Sequence, residues 1–154
     1  DCTSLVSDIY NGHQISLTET ISQNTLNFSS TEWSGALTTF GQKYTHDGGD
    51  INKVFEFPTI GLSMNDVKNL FNTSQPHYIK IDVDGIEHLI LKGGEKVLSE
   101  TKELLIEINE KFEKNKSNCE KYLKELGFSL KEKKQSEMFE NSDFSTSYNQ
   151  IWVK

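Results

Sequence analysis

Cysteine is scarce in this sequence. The two present, Cys2 and Cys119, lie far apart and in no metal-ligand spacing. They read as reduced thiols of a cytoplasmic protein, with a structural role for Cys119. Positive charge is also in short supply. The formal net charge is −7, whereas a nucleic-acid binder needs a basic stripe to neutralise phosphates. No apolar run approaches the length of a membrane span, and the first residues lack the basic-then-apolar form of a signal peptide. There is no internal repeat and no initial Met. The chain opens DCTSLVSD, as though entered partway through a strand, which predicts an incomplete domain.

What is present suits one folded unit. A length of 154 residues allows one domain with a real core. The apolar fraction is only 34%, but nine Phe, five Tyr and two Trp supply bulk. Two textures divide the chain. Residues 1–62 are rich in Ser, Thr, Asn and Gly, as strands and turns are. HQISLTET alternates like a half-buried strand, and KVFEFPTI reads as another, ended by Pro58. The stretch between them carries four glycines over residues 33–50 and reads largely as loop.

Residues 63–154 alternate helix and strand. In SMNDVKNLF, Ser63 suits an N-cap and Asp66 completes a capping box. YIKIDV is a strand stopped at Asp84-Gly85. IEHLILKGGEKVLSE is helical, broken at Gly93-Gly94, and ELLIEIN is a buried strand. SNCEKYLKELG is a helix with Cys119, Tyr122, Leu123 and Leu126 on one face. Ser117 and Glu120 form its expected capping box, with Gly127 as its C-terminal stop. FSLKEK and YNQIWVK should pair antiparallel, and the lysine run KEKK should be a solvated edge. The order predicts an α/β sheet with right-handed crossovers and an antiparallel strand at its end. Ligands of such sheets gather at the carboxyl ends of strands. That points to Asp82 and Asp84 after YIKI, and to Glu107, Asn109 and Glu110 in and after ELLI.

The central block resembles the FkbM family of methyltransferases. The residues that carry the resemblance are Lys80, Ile81, Asp82, Val83, Asp84 and Gly85, then Glu87, then Leu91, Lys92 and Gly93, and finally Glu107. Ser34 to Leu37 and the FPTIGLSMNDV stretch resemble the segments leading into this block. The resemblance runs in order over roughly residues 3–154, which is far more specific than one short motif. It implies a partial Rossmann-like class I methyltransferase sheet, mostly parallel with an antiparallel C-terminal strand and lacking its N-terminal strands. The family's glycine-rich loop and the acidic residue for the cofactor ribose have no counterpart here. The whole chain is then one incomplete domain.

The resemblance further implies S-adenosylmethionine as cofactor and a sugar or glycan hydroxyl as methyl acceptor. Such a donor needs little activation, so the protein chiefly aligns donor and acceptor, while a hydroxyl benefits from a general base. The catalytic candidates are Asp82, Glu87 and His88. Ser7, Asp8, Asp82, Asp84 and Gly85 are the cofactor-binding candidates, and Glu107 and Asn109 the substrate-binding ones; no metal is expected. Blander roles stay open: Asp84 as a helix N-cap, His88 as a core or surface histidine, and Glu107 as a strand carboxylate paired with Lys80. His13, His46 and His77 show no constellation. Two rival readings are a glycosyltransferase using Asp82-Val83-Asp84 as a DxD motif and a calcium- or ligand-binding module without catalysis. The latter lacks oxygen ligands at Ile86, His88 and Ile90, and a noncatalytic remnant is a third. Nothing in the sequence indicates an oligomeric state.

Overall fold

Among residues 16–30, 38–135, 142 and 144–154, which the computed structural model describes, there are eight strands and four helices. The strands are β1 (Ser16–Leu17), β2 (Ser22–Phe28), β3 (Thr38–Phe40), β4 (Phe55–Leu62), β5 (Tyr78–Ile81), β6 (Glu103–Asn109), β7 (Ser129–Lys134) and β8 (Ser147–Val153). The helices are α1 (Met64–Phe71), α2 (Glu87–Lys92), α3 (Glu95–Ser99) and α4 (Glu113–Glu125). Two four-stranded sheets result, ordered β1-β4-β2-β3 and β5-β6-β8-β7.

The second sheet follows the expected alternation. β5 and β6 are parallel neighbours, with Ile79 opposite Leu104 and Ile81 opposite Ile106. The crossover between them is α2 and α3, separated at Gly93-Gly94. β8 runs antiparallel to both β6 and β7, so β5, β6 and β7 share one direction and the last strand is inserted against it. β7 forms the edge, and its lysine run is exposed along its length, which discourages pairing with another chain.

One face of this sheet builds the core. Leu104, Ile106 and Ile108 alternate inward along β6 and are fully buried with Leu98, Cys119 and Leu123. Trp152 joins them from β8, its indole N–H donating to Gln150 Oε1 at 2.9 Å. Tyr122 and Leu126 pack half-buried against the same cluster. The helical face expected from residue spacing is therefore real, but its start is not where expected. α4 begins at Glu113 after Phe112, and Ser117 lies inside it with its hydroxyl donating to Glu113 Oε1 at 3.2 Å. A capping-box pattern inside a longer helix becomes an ordinary i, i+4 contact on the exposed surface. The stop is as expected: Gly127 has φ +84°, and Phe128 N–H reaches back to Leu123 C=O at 2.9 Å.

The first sheet departs from the reading further. β2 and β3 fall in stretches with no strand expected, and residues 38–40 belong to what read as loop. Pro58 does not end its strand, which continues to Leu62. It stands opposite Thr25 of β2, whose carbonyl points away to accept from Gly41 N–H at 2.9 Å. The pair exchanges no ladder bonds, so on the β2 side the missing N–H of Pro58 is no loss. Among the described residues, β1 pairs with β4 at Gly61 and Leu62. The α1 capping box does form: Asp66 N–H donates to Ser63 Oγ at 3.0 Å, and Ser63 N–H to Asp66 Oδ2 at 3.1 Å. Gly93 explains how the layers meet, since a Cβ there would lie 2.4 Å from Thr18 O and 2.9 Å from Ser63 Cβ. No described helix is long and apolar enough to cross a membrane.

Candidate active site

The carboxyl ends of β5 and β6 carry the candidate residues, and the parallel register sets them side by side. Ile81 lies opposite Ile106, so one step on brings Asp82 level with Glu107. Side chains alternate across a strand, which turns both carboxylates away from the core that Ile81 and Ile106 enter. Asp82 is exposed and pairs with Lys80 at 2.7 Å. Glu107 is half-buried. Burial pushes its carboxyl above the ordinary range, and the neighbouring Asp82 and Asp84 charges add to this. Lys80 and a hydrogen bond from the Ser147 hydroxyl oppose the shift.

Asp84 has a different task from the helix cap considered above. The residue preceding α2 is Ile86, with no side-chain cap. Asp84 Oδ2 instead accepts the backbone N–H of Thr38 at 2.9 Å, joining β3 of the first sheet to the turn after β5. Gly85 makes that turn with φ +90°. A Cβ there would stand 3.0 Å from Thr45 O and 3.3 Å from the Phe112 ring. Conformation and space both call for glycine.

Glu87 and His88 turn inward, and both are buried. Glu87 accepts from Asn115 Nδ2 at 2.6 Å and from Gly85 N–H at 3.3 Å. Its burial pushes the carboxyl up to about 8, outweighing those hydrogen bonds, so it is mostly protonated at neutral pH. Asn115 Oδ1 accepts from His88 N–H at 3.2 Å and lies 2.7 Å from His88 Nδ1. Because the Asn115 amide nitrogen faces Glu87, its oxygen faces His88, and the imidazole proton belongs on Nδ1. Burial lowers the His88 pKa, against that hydrogen bond. Cys119 completes the cluster, its thiol donating to Asn115 Oδ1 at 3.5 Å; burial pushes that thiol far up and keeps it neutral.

The structure therefore divides the sequence-expected residues into two groups. Asp82, Asp84, Gly85 and Glu107 meet at the strand ends, with Asn109 at the end of β6, buried and accepting from Lys111 N–H and Thr146 Oγ1, each at 2.9 Å. Glu87 and His88 lie inward of the Gly85 turn with Asn115. Ser7 and Asp8 lie outside the described residues. Asn115 escaped the sequence reading although it stands four residues before Cys119, on the same helical stripe. Thr38, Thr45 and Ser147 carried no local signal, because distant segments bring them in.

The match to a family model decides between the enzyme classes: residues 4–130 match the Methyltransferase FkbM domain. The chain belongs to the FkbM methyltransferase family. No curated protein and no solved structure matches it. That match does not support the glycosyltransferase or calcium-module readings. Asp82 and Asp84 diverge, one to Lys80 and the other to Thr38. Among the described residues no three of His, Cys, Asp and Glu are grouped to hold a metal ion. A shallow depression of about 490 Å³ lies elsewhere in this FkbM domain, lined by Ile21, Ser63, Asn65 and Lys92, and contains none of the candidate residues.

Proposed function

We propose that this FkbM methyltransferase moves the methyl group of S-adenosylmethionine to a hydroxyl of a sugar or glycan, at the carboxyl ends of β5 and β6. The observation that carries the proposal is the gathering of Asp82, Asp84 and Glu107 at the ends of two adjacent parallel strands, where open α/β sheets hold ligands. The order β5-β6-β8-β7, with its reversed last strand inserted, supports the further reading of a partial Rossmann-like class I sheet. A cationic donor fits this site on charge, since three carboxylates surround it and Lys80 is paired to Asp82. Asp82, Asp84 and the close backbone at Gly85 would hold that donor. When bound, S-adenosylmethionine supplies an electrophilic methyl group on a positively charged sulfur.

Glu107 is the base in this reading. A carboxylate lifted above its usual range accepts a proton from the acceptor hydroxyl more readily than an ordinary surface one. Ser147 fixes its orientation. Asp82 aligns the hydroxyl or faces the developing charge. Glu87, mostly protonated, and His88, held neutral, act through Asn115 to fix the Gly85 turn and do not themselves touch the acceptor. The experiment is transfer of a labelled methyl from S-adenosylmethionine to a panel of mono- and oligosaccharides, with the product's methyl ether located by mass spectrometry. Label appearing on amines or thiols but on no hydroxyl would sink the proposed acceptor class.

A further inference from the structure

His46 follows a residue that contacts the Gly85 turn, although nothing in its sequence context marks it. Thr45, its neighbour, presents its carbonyl to the Gly85 turn, 3.0 Å from where a Cβ would be. The His46 ring packs on Phe144 with centroids 4.9 Å apart. Both ring nitrogens are buried, and neither has a hydrogen-bond partner among the described residues. Asn109 shows the same condition. Its Oδ1 is committed to Lys111 N–H and Thr146 Oγ1, which fixes the amide plane. Its Nδ2 is buried without a partner, on a residue only 4% exposed. One short segment touches both: Phe144 stacks on His46, and Thr146 holds Asn109. Ser147, one residue on, bonds Glu107. Buried polar groups are ordinarily satisfied, so two unsatisfied side chains held by one short segment ask for a partner the protein itself does not supply.

We infer that His46 and Asn109 form the acceptor subsite, binding adjacent hydroxyls of a saccharide ring while the Phe144 and Phe112 rings flank its apolar faces. This rests on the reading of the acceptor as a sugar hydroxyl. The chemistry matches in number and kind. An imidazole ring carries two nitrogens that can hydrogen-bond, and a hydroxyl both accepts and donates. Asn109 Nδ2 adds a donor for a second oxygen. Aromatic rings lie close by, with Phe112 edge-on to Tyr44 at 5.0 Å and Phe144 against His46. Flat apolar rings beside hydrogen-bonding groups suit a sugar, whose faces are C–H and whose rim is hydroxyl. Glu107 then lies next to the hydroxyl to be methylated, through the Ser147 it shares with that segment. His46 and Asn109 are specificity-determining residues here.

The test uses the whole protein with glucose, galactose, mannose and rhamnose as probes, and glycerol as a non-ring polyol. Saturation-transfer NMR reads sugar binding, calorimetry reads S-adenosylmethionine binding, and a methyl-transfer assay gives KM and kcat. His46→Phe keeps the ring stacked on Phe144 and removes both nitrogens. Asn109→Asp keeps the two accepting contacts and removes the free donor. Each should weaken sugar binding and raise the acceptor KM roughly tenfold, the effect of one lost hydrogen bond. For His46→Phe, donor affinity and the thermal melt should stay within twofold and a few degrees. Unchanged sugar binding in both variants overturns the subsite and leaves the proposed reaction standing, because the two groups then bond ordered water only. The absence of any sugar signal from the wild type overturns the subsite too, and counts against a sugar acceptor as well. Sugar binding that depends on His46, without methyl transfer to any hydroxyl, upholds the subsite and sinks the reaction instead.

Discussion

Asn115 Nδ2 donates to Glu87 at 2.6 Å from the buried side of α4, and this contact joins the helix to the turn that bears the candidate site. Through its other oxygen-bound partners Asn115 also fixes His88 and Cys119. Four polar groups with no exposure to speak of satisfy one another here, and removal of the hub strands several at once.

Asn115→Leu should therefore destabilise the protein by roughly 3 kcal/mol, since the buried carboxyl and imidazole both lose partners. Asn115→Asp should do worse above neutral pH, where it sets a second carboxylate against Glu87. Urea melts of the two variants at pH 7 measure both effects. A change below about 0.5 kcal/mol for Asn115→Leu would mean the network contributes little.

Glu87 gives the protein a distinctive pH dependence. Its carboxyl moves from about 4.5 in the unfolded chain to about 8 when folded. Between these values the folded state holds the extra proton. Glu87's contribution is thus fully present below pH 4.5 and is lost progressively as pH rises to 8. His88 works the other way. Its folded pKa is lowered, so its contribution is present above about 6.5 and lost as pH falls through the folded value. Glu87→Gln should flatten the decline in stability between pH 6.5 and 8, whatever its absolute effect at one pH. Parallel slopes for wild type and variant would contradict the burial argument.

Gly85→Ala should cost roughly 2 kcal/mol from the positive φ alone. The close Thr45 carbonyl adds to this by forcing the 41–50 loop away. Methyl transfer should then fall by more than stability alone explains. A melt and an activity measurement on the same preparation separate the two, and full activity would show that the turn need not be tight.

The second sheet was legible because its signals are local and agree with one another. YIKI, ELLIEIN and YNQIWVK are short apolar runs bounded by clear stops, and Gly127 ends α4 where expected. β2, with SQNTLNF, offered no such pattern. Only Leu26 and Phe28 are apolar there, and its position depends on pairing with β4 along seven residues. Ser117 misled because a capping box cannot be told from an exposed helix turn without knowing what precedes it. The site divides similarly. Asp82, Asp84 and Glu107 follow from strand ends and motif. Asn115, His46 and Ser147 follow from packing between distant segments, which periodicity cannot register.

Asp82 and Glu107 carry the proposed chemistry, and their surroundings forecast different outcomes on neutralisation. The Lys80–Asp82 pair is exposed on both sides, so its loss should change stability by less than about 1 kcal/mol. If Asp82 aligns donor or acceptor, Asp82→Asn should still lower methyl transfer by ~10²-fold, the scale of a lost electrostatic contact. Glu107→Gln removes the proposed base. Its rate should fall similarly, and the rise of activity with pH through the Glu107 ionisation should vanish, whereas Asp82→Asn should retain that rise at a lower level. Asp84→Ala should affect folding more than either, because Oδ2 holds the Thr38 N–H across the two sheets. If Glu107→Gln keeps the wild-type pH profile, the base lies elsewhere. If Asp82→Asn turns over at the wild-type rate with an unchanged melt, the strand-end carboxylates serve the fold and not the reaction.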